Sequence, residues 1–285
     1  MSKFKIPAGQ KASHFGTEFL FKGALIVNAL GVFLPLVFMI NSSFRKSSDL
    51  FTTPLQIADS FDLTNYKLVF TEGNFVSYFW NSFIVTFSAT AIVIVFGSSA
   101  AYALARYKFR FNGAIYIFFL AGLLIPAKLA LVPLFIQMKN MGLLDSRIGL
   151  ILVYAAGAMP AAVFIFTGFI RALPADLDNA ARIDGAKEHQ VFAKVMLPLI
   201  VPVTGIVGIY SAIPMWNDFL LPLVFIRDPS KMTIMQGVSV FFGEYGSDWG
   251  AIFAGLTMAA LPLIFLYVIL SSKFIKGLTA GATKG

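Results

Sequence analysis

Side chains with chemistry to offer are sparse in this chain. Histidine occurs twice, His14 in the N-terminal segment and His189 in a polar connection at 174–198, so the two form no buried catalytic pair and an intramembrane hydrolase is disfavoured. Cysteine is absent, which excludes disulfides, thiolate metal sites and thiol catalysis. No phosphate loop of the form G-x-x-x-x-G-K-S/T occurs. The tail KFIKGLTAGATKG echoes one in its glycines and Lys284, but no strand precedes it and Gly285 stands where Ser or Thr is required. The chain is therefore expected to carry no metal or cofactor of its own, and ATP-driven work would need an ATPase on another chain.

Two constellations remain. The first is Trp216-Asn217-Asp218, between Pro214 and Pro222. A charge at membrane depth costs about 2.5–3.5 kcal/mol on insertion scales unless it faces a cavity or partner. Two readings are open: a carboxylate on a substrate path, with Trp216 and Asn217 beside it, or an interfacial residue with a Trp anchor and polar cap, roughly 28 Å along a helix that starts at Leu199. Lys128 has the same two readings, pathway cation or snorkelling side chain.

The second constellation is PADLDNAARIDGAKEHQVFAKVMLP, residues 174–198. Pro174 opens a turn, Asp176 or Asp178 can cap a helix, and Asp184-Gly185 breaks it before a second helix that ends near Pro198. Leu177, Ala180 and Ala181 share a low-relief apolar face. Val191, Phe192, Val195 and Met196 supply a greasier strip suited to lie against other helices. An interfacial amphipathic loop and a docking tab both fit the pattern.

The elements that hold these groups are membrane helices. With 285 residues, 58% hydrophobic, 13% charged and mean hydropathy +0.80, the chain is an integral membrane protein. Apolar runs at about 23–40, 79–105, 113–138, 148–170, 199–226 and 249–272 give six expected spans, and the alternation of a β-barrel is missing. Pro126 and Pro133 predict that the third span is bent or broken. Of the 22 Lys and Arg, fourteen fall on the side of the termini and seven on the other, with Lys128 inside a span. This bias predicts cytoplasmic termini and a cytoplasmic 174–198 segment, and it accounts for the net charge of +8 without nucleic acid. The loop RYKFRFN at 106–112 reads as a headgroup anchor. The expected domains are a cytoplasmic segment 1–22, a six-helix domain 23–272 and a cytoplasmic tail 273–285. About 22 residues, mostly polar, precede the first span, with no clear small-x-small site after it, so it is expected to be a retained anchor. The external segment 42–78 is long enough for short helices, and the outer loop 227–248 reads either as an inert connection or as one that reaches into a partner's cleft.

Several motifs together carry a resemblance: Asn179-Ala180-Ala181, then Asp184-Gly185-Ala186, then Leu197-Pro198-Leu199 with Pro202, as well as NSF at 81–83, AYALARYKFR at 101–110, WNDFLLPL at 216–223 and GLTAGATKG at 277–285. The chain resembles the inner-membrane permease subunits of carbohydrate-uptake ABC transporters, the family that includes the second maltose/maltodextrin permease. This resemblance implies an all-α polytopic fold in a bacterial or archaeal cell membrane. It also implies a homologous second permease, two ATPase subunits that bind ATP and Mg, and an extracytoplasmic solute-binding protein.

By the same resemblance, Asn179, Ala180, Ala181, Asp184, Gly185 and Ala186 belong to coupling helices seated in the ATPase. Gly277, Leu278, Thr279 and Lys284 belong to a tail between the ATPase subunits, and Phe241, Phe242, Gly243, Glu244 and Tyr245 to a loop that enters the binding protein. Asn179 departs from the family's Glu and loses its charge. The alternative, an ion-driven secondary carrier, expects inverted repeats and several buried acids, whereas one candidate acid is found here.

Overall fold

The computed structural model describes the backbone over residues 8–242 and 247–282, with side chains over 20–126, 128–242 and 247–265. Two compact units are distinguished, residues 1–69 with 241–257 and residues 70–240 with 258–285. Among the described residues the structure is helical, apart from one isolated antiparallel bridge, Phe242 to Ser247.

In the smaller unit, α1 (Ala8–Ser42) is followed by the short helices expected in the external segment, α2 (Ser47–Thr52) and the start of α3 (Thr64–Thr71). The last carbonyls of a helix lack partners within it. Arg45 adds donors at this end of α2 and in the turn beyond it: its guanidinium donates to the Asp49 carbonyl at 3.0 Å, which also accepts from Thr53 N, and to the Thr53 and Gln56 carbonyls at 2.8 and 3.2 Å. Ser47 Oγ then donates to Asp248 Oδ1 at 2.8 Å, next to α13 (Trp249–Ala282).

The larger unit is built on α4 (Phe75–Arg106) and α7 (Arg147–Ala172). Val85, Ala89, Val93 and Ala101 recur at helical spacing on one face of α4 and are fully buried, as are Phe166 and Ile170 of α7. Without a hydrophobic drive between helices in lipid, small side chains at the seam allow close packing. A Cβ at Gly97 would stand 3.1 Å from Ala162 Cβ.

Among the described residues, four helical stretches are long and apolar enough to cross a bilayer: Leu20–Ser42, Phe75–Arg106, Arg147–Ala172 and Glu188–Trp216. The third expected span is broken, as its prolines predict: α5 (Asn112–Leu124) and the segment Lys128–Asn140, which holds α6 (Leu131–Asn140), differ in direction by 88°. The break falls at Ile125, whose extended backbone (ψ 115°) is what a following proline imposes. Pro133 lies in the first turn of α6, where its missing N–H is not needed. Lys128 is exposed. The sixth expected span is carried by α13, whose apolar stretch is described as far as Phe265.

The fifth span departs from the expected 199–226. Its helix, α10 (Leu197–Trp216), stops at Trp216, and a separate short helix, α11 (Leu220–Phe225), follows. The expected loop after it is also more ordered than its glycines suggest, with a 3-10 turn at Pro229–Lys231 and α12 (Ile234–Val238). Gly237 of α12 rests on the Tyr78 ring so closely that a Cβ there would overlap Cδ2 and Cε2 of the ring. Gly237→Ala is expected to destabilise the purified protein by about 1–3 kcal/mol through overpacking, read as a lower melting temperature in detergent.

Candidate functional site

The polar segment 174–198 folds as two helical pieces around a glycine turn. α8 (Asp176–Ile183) ends through Asp184 and Gly185, the latter at φ +84°. Ala186 N donates to Ala181 O and Gly185 N to Arg182 O, both at 3.0 Å, the paired bonds of a Schellman closure. Gly185 is thus required by its backbone, since a side chain at that φ is strained. The second piece, α9 (Glu188–Gln190), begins with Gln190 Oε1 accepting from Lys187 N at 2.8 Å.

The second piece does not end near Pro198, as its sequence suggests. It runs through a π-helical turn, Val191–Met196, into α10 without a break. Pro198 follows the widened turn, in which Leu197 N reaches back to Phe192 O, so the backbone ladder changes register where proline brings no N–H. Val191 and Met196 are fully buried and Phe192 packs on the Tyr102 ring at 5.2 Å, so the apolar strip lies against the helices as predicted.

Neither Asp176 nor Asp178 caps α8, whose N-cap is Ala175. Asp178 instead points inward, 1% exposed, with Oδ2 2.6 Å from Arg106 Nε at the end of α4. The contact is an ion pair by proximity; the Nε–H is not aligned for a hydrogen bond, and neither Asp178 oxygen receives one. Arg106 Nη2 also donates to Leu173 O at 3.1 Å, the carbonyl that closes α7. The next residue, Tyr107, donates its hydroxyl to Glu188 Oε2 at 2.5 Å, and Arg182 donates to both oxygens of Glu188 at 2.8 and 3.1 Å. The Glu188 bond raises Arg182 above the usual guanidinium value, and burial followed by that same carboxylate pushes Tyr107 up. Arg182 therefore stays a cation, Glu188 an anion and Tyr107 neutral near neutral pH.

One face of the segment stays free. Asn179, Ala180, Asp184 and Gly185 are exposed, and Ala181 and Ala186 are half-buried. Asn179 Oδ1 accepts from Arg182 Nη1 at 3.1 Å. The structure therefore brings the predicted residues together around the glycine turn. It adds Ile183, 86% exposed at the end of α8, whose apolar character in a polar run was the available signal. It also adds Arg106 and Tyr107, which read in sequence as part of a headgroup anchor.

The second constellation comes apart. Trp216 is buried, donates Nε1–H to Ala259 O at 3.0 Å and packs edge-on to Phe79, so it is neither an interfacial anchor nor an open sugar platform. Asn217 is exposed and donates to Ile213 O at 3.1 Å. Asp218 occupies the break between α10 and α11, where Oδ1 accepts from Leu220 N at 3.1 Å and Oδ2 from the Tyr154 hydroxyl at 2.9 Å. In the candidate loop, Phe242 is exposed against Trp249, while Gly243, Glu244 and Tyr245 lie outside the described residues. Gly277, Leu278 and Thr279 lie on the helical backbone of α13, and Lys284 is outside the described residues.

At the opposite end of α4, Asn81 donates to Ser230 O and Met232 O, both at 2.9 Å, and Ser82 Oγ accepts from Ile234 N at 2.8 Å. The same segment is clasped by Lys231, whose ammonium lies 3.2 Å from both Asp145 Oδ2 and Asp228 Oδ2. Backbone N–H groups of Asp228 and Arg227 hold Asp145 below the usual carboxylate range, and Asp145 holds Lys231 up. The carboxylate contribution is present above about pH 4 and the ammonium contribution below about pH 10, so the clasp is constant across neutral pH.

Comparison with known proteins decides the family. Residues 93–278 match the binding-protein-dependent transport system inner membrane component. The chain belongs to this family. As such a permease, it is 37% identical to the diacetylchitobiose uptake system permease protein of Streptomyces coelicolor, over 90% of this chain and 86% of that one. It is 32% identical to the melibiose/raffinose/stachyose import permease protein of Bacillus subtilis, over 89% and 92%. Its fold matches, with a TM-score of 0.80 and 20% identity, a chain of a bacterial ABC transporter involved in the import of the acidic polysaccharide alginate, covering 95% of this chain and all of that one. The permease is thus a multi-pass membrane subunit of a binding-protein-dependent ABC importer.

Removing one partner of a buried ion pair strands the other charge, at about 3–5 kcal/mol, whereas apolar replacement of both is close to neutral. Asp178→Leu is therefore expected to lower the melting temperature of the permease sharply and Arg106→Met/Asp178→Leu to restore most of it. Equal melting of the single and double variants would show that the pair is not coupled.

Proposed function

We propose that this permease forms half of a translocation path for a di- or oligosaccharide or a similar glycoside, and that residues 174–198 are the seat of an ATPase subunit on the cytoplasmic side. A second, homologous permease completes the path, two ATPase subunits bind ATP and Mg and hydrolyse ATP, and an external binding protein delivers the solute. The relatives' names, a diacetylchitobiose uptake permease and a melibiose/raffinose/stachyose import permease, support the sugar class. The excess of Lys and Arg on the side of 174–198 supports the orientation, with both termini cytoplasmic. In the same reading, residues 1–22 and 273–285 flank the membrane domain 23–272. The tail from Gly277 reaches the ATPase pair, and the loop around Phe242 meets the binding protein.

One observation carries this reading: the segment has a fully specified inner face and a bare outer one. Inside, Asp178, Glu188, Val191 and Met196 are committed to α4 and the core. Outside, Ala180, Ile183 and Gly185 offer a small apolar knob, with Asp184 the charge exposed among them. Small residues let a cleft close around such a knob, and Ile183 supplies the apolar anchor that central interface positions favour. Because the knob is continuous with α10 and bonded to α4 and α7, movement of the cleft tilts these helices together, and two ATPases drawing together on ATP would switch the cavity between faces. Asn179 leaves the seat without the family's negative charge, so shape and apolar contact dominate it.

Gly185→Asp and Ala181→Trp are expected to leave membrane insertion intact and to uncouple transport from ATP hydrolysis. The measurements are sugar uptake in vesicles and co-purification of the ATPase. Normal uptake together with normal co-purification in both variants would remove the assignment.

A further inference from the structure

We infer that α4 is a strut joining the ATPase seat to segment 229–238 at its far end, with Arg106 and Asn81 as the positioning residues at its two ends. The driving force rests on the reading of 174–198 as the ATPase seat; the mechanical link does not.

Three observations carry the inference. First, α4 is 32 residues long and has no proline. Every other described helix of 18 or more residues contains one: Pro35 in α1, Pro160 in α7, Pro202 and Pro214 in α10, and Pro262 in α13. Proline removes a backbone bond and is a common site of kinks; α4 has none, and its one Gly-Ser step, Gly97-Ser98, is packed closely against Ala162 of α7, so α4 is the long helix best able to carry a tilt without bending. Second, its middle is supported along its length, with Val85, Ala89 and Val93 in the core shared with α7 and α10.

Third, apart from a long contact of the Thr90 hydroxyl with Met215 Sδ at 3.9 Å, the polar bonds of α4 to other segments lie at its ends. At one end Arg106 holds Asp178 and the Leu173 carbonyl, and Tyr107 holds Glu188. About 38 Å away along the helix, Asn81 holds the Ser230 and Met232 carbonyls and Ser82 holds the Ile234 amide. The hydrogen bonds of Arg106 to Leu173 O and of Asn81 and Ser82 to segment 229–238 are directional and at least partly buried, so they resist slipping, and a rotation imposed at Arg106 must either move segment 229–238 or leave two carbonyls unpaired. A contiguous packed network with fixed attachments at both ends is the physical requirement for coupling over this distance.

Hydrogen exchange in lipid nanodiscs tests the strut in two arms. In the permease alone, Asp178→Asn is expected to raise exchange at the amides of 234–237, as Asn81→Ala does directly, and the double variant to exchange no faster than Asn81→Ala. Arg106→Lys, which keeps the charge and loses the bond to Leu173, gives the same direction and carries this arm if Asp178→Asn does not fold. Wild-type exchange at 234–237 in a folded inner-end variant overturns the strut, as does an additive double variant.

The second arm uses the complex with its ATPase, with Mg-ATP and vanadate against no nucleotide. A nucleotide-dependent change at 234–237 is expected in the wild type and its loss is expected in Asn81→Ala. A nucleotide response that persists in Asn81→Ala also overturns the strut. If the first arm holds and the wild type shows no nucleotide response, the ATPase seat is what fails.

Discussion

A carboxylate shut away from solvent needs a cation, and Asp178 is 1% exposed with Arg106 2.6 Å away. The fold of the polar segment follows from that requirement. With Asp178 drawn in, α8 turns Asn179, Ala180 and Ile183 outward, and the Schellman closure at Gly185 brings Glu188 back to Tyr107 and Arg182. One buried pair therefore decides which side of the segment belongs to the permease and which side is left for a partner. Such a pair adds little net stability over an apolar replacement, and its value lies in fixing orientation.

Proline placement divides the remaining labour. The broken third span, the π turn before Pro198 and the end of α10 at Trp216 all lie at or near prolines. These are places where the backbone ladder is interrupted and a helix can change direction at low cost. α4 lacks any such interruption and is bonded at both ends. Bendable helices around an unbending one suit a membrane domain that must change shape while keeping a fixed relation between its two faces.

Much of this was legible in sequence, and the misses share one cause. Length and apolar runs located the spans, the prolines announced the broken third span, and Asp184-Gly185 marked the turn in 174–198. Val191, Phe192 and Met196 were also placed correctly by period alone. Asp178 was misread as a possible cap because its true partner lies on another helix, and no local pattern distinguishes an acid that caps from one that is drawn inward. Arg106 was misread for the same reason. Trp216 was read as either a substrate-path group or an interfacial anchor on a span expected to run to 226, whereas the helix stops at Trp216 and buries the ring against Phe79. Local chemistry sets turns and periods; pairing between distant elements sets which polar groups are structural and which remain free.

The central claim is that the bare face of 174–198 meets an ATPase. A photo-crosslinking amino acid placed at Ile183 in membranes containing the whole transporter tests it most directly, with Val191, fully buried behind the same segment, as the control position. The account predicts a crosslinked product at 183 that contains an ATP-binding subunit, and none at 191. A product at 183 containing only lipid or the binding protein, or equal ATPase crosslinking from both positions, would contradict it.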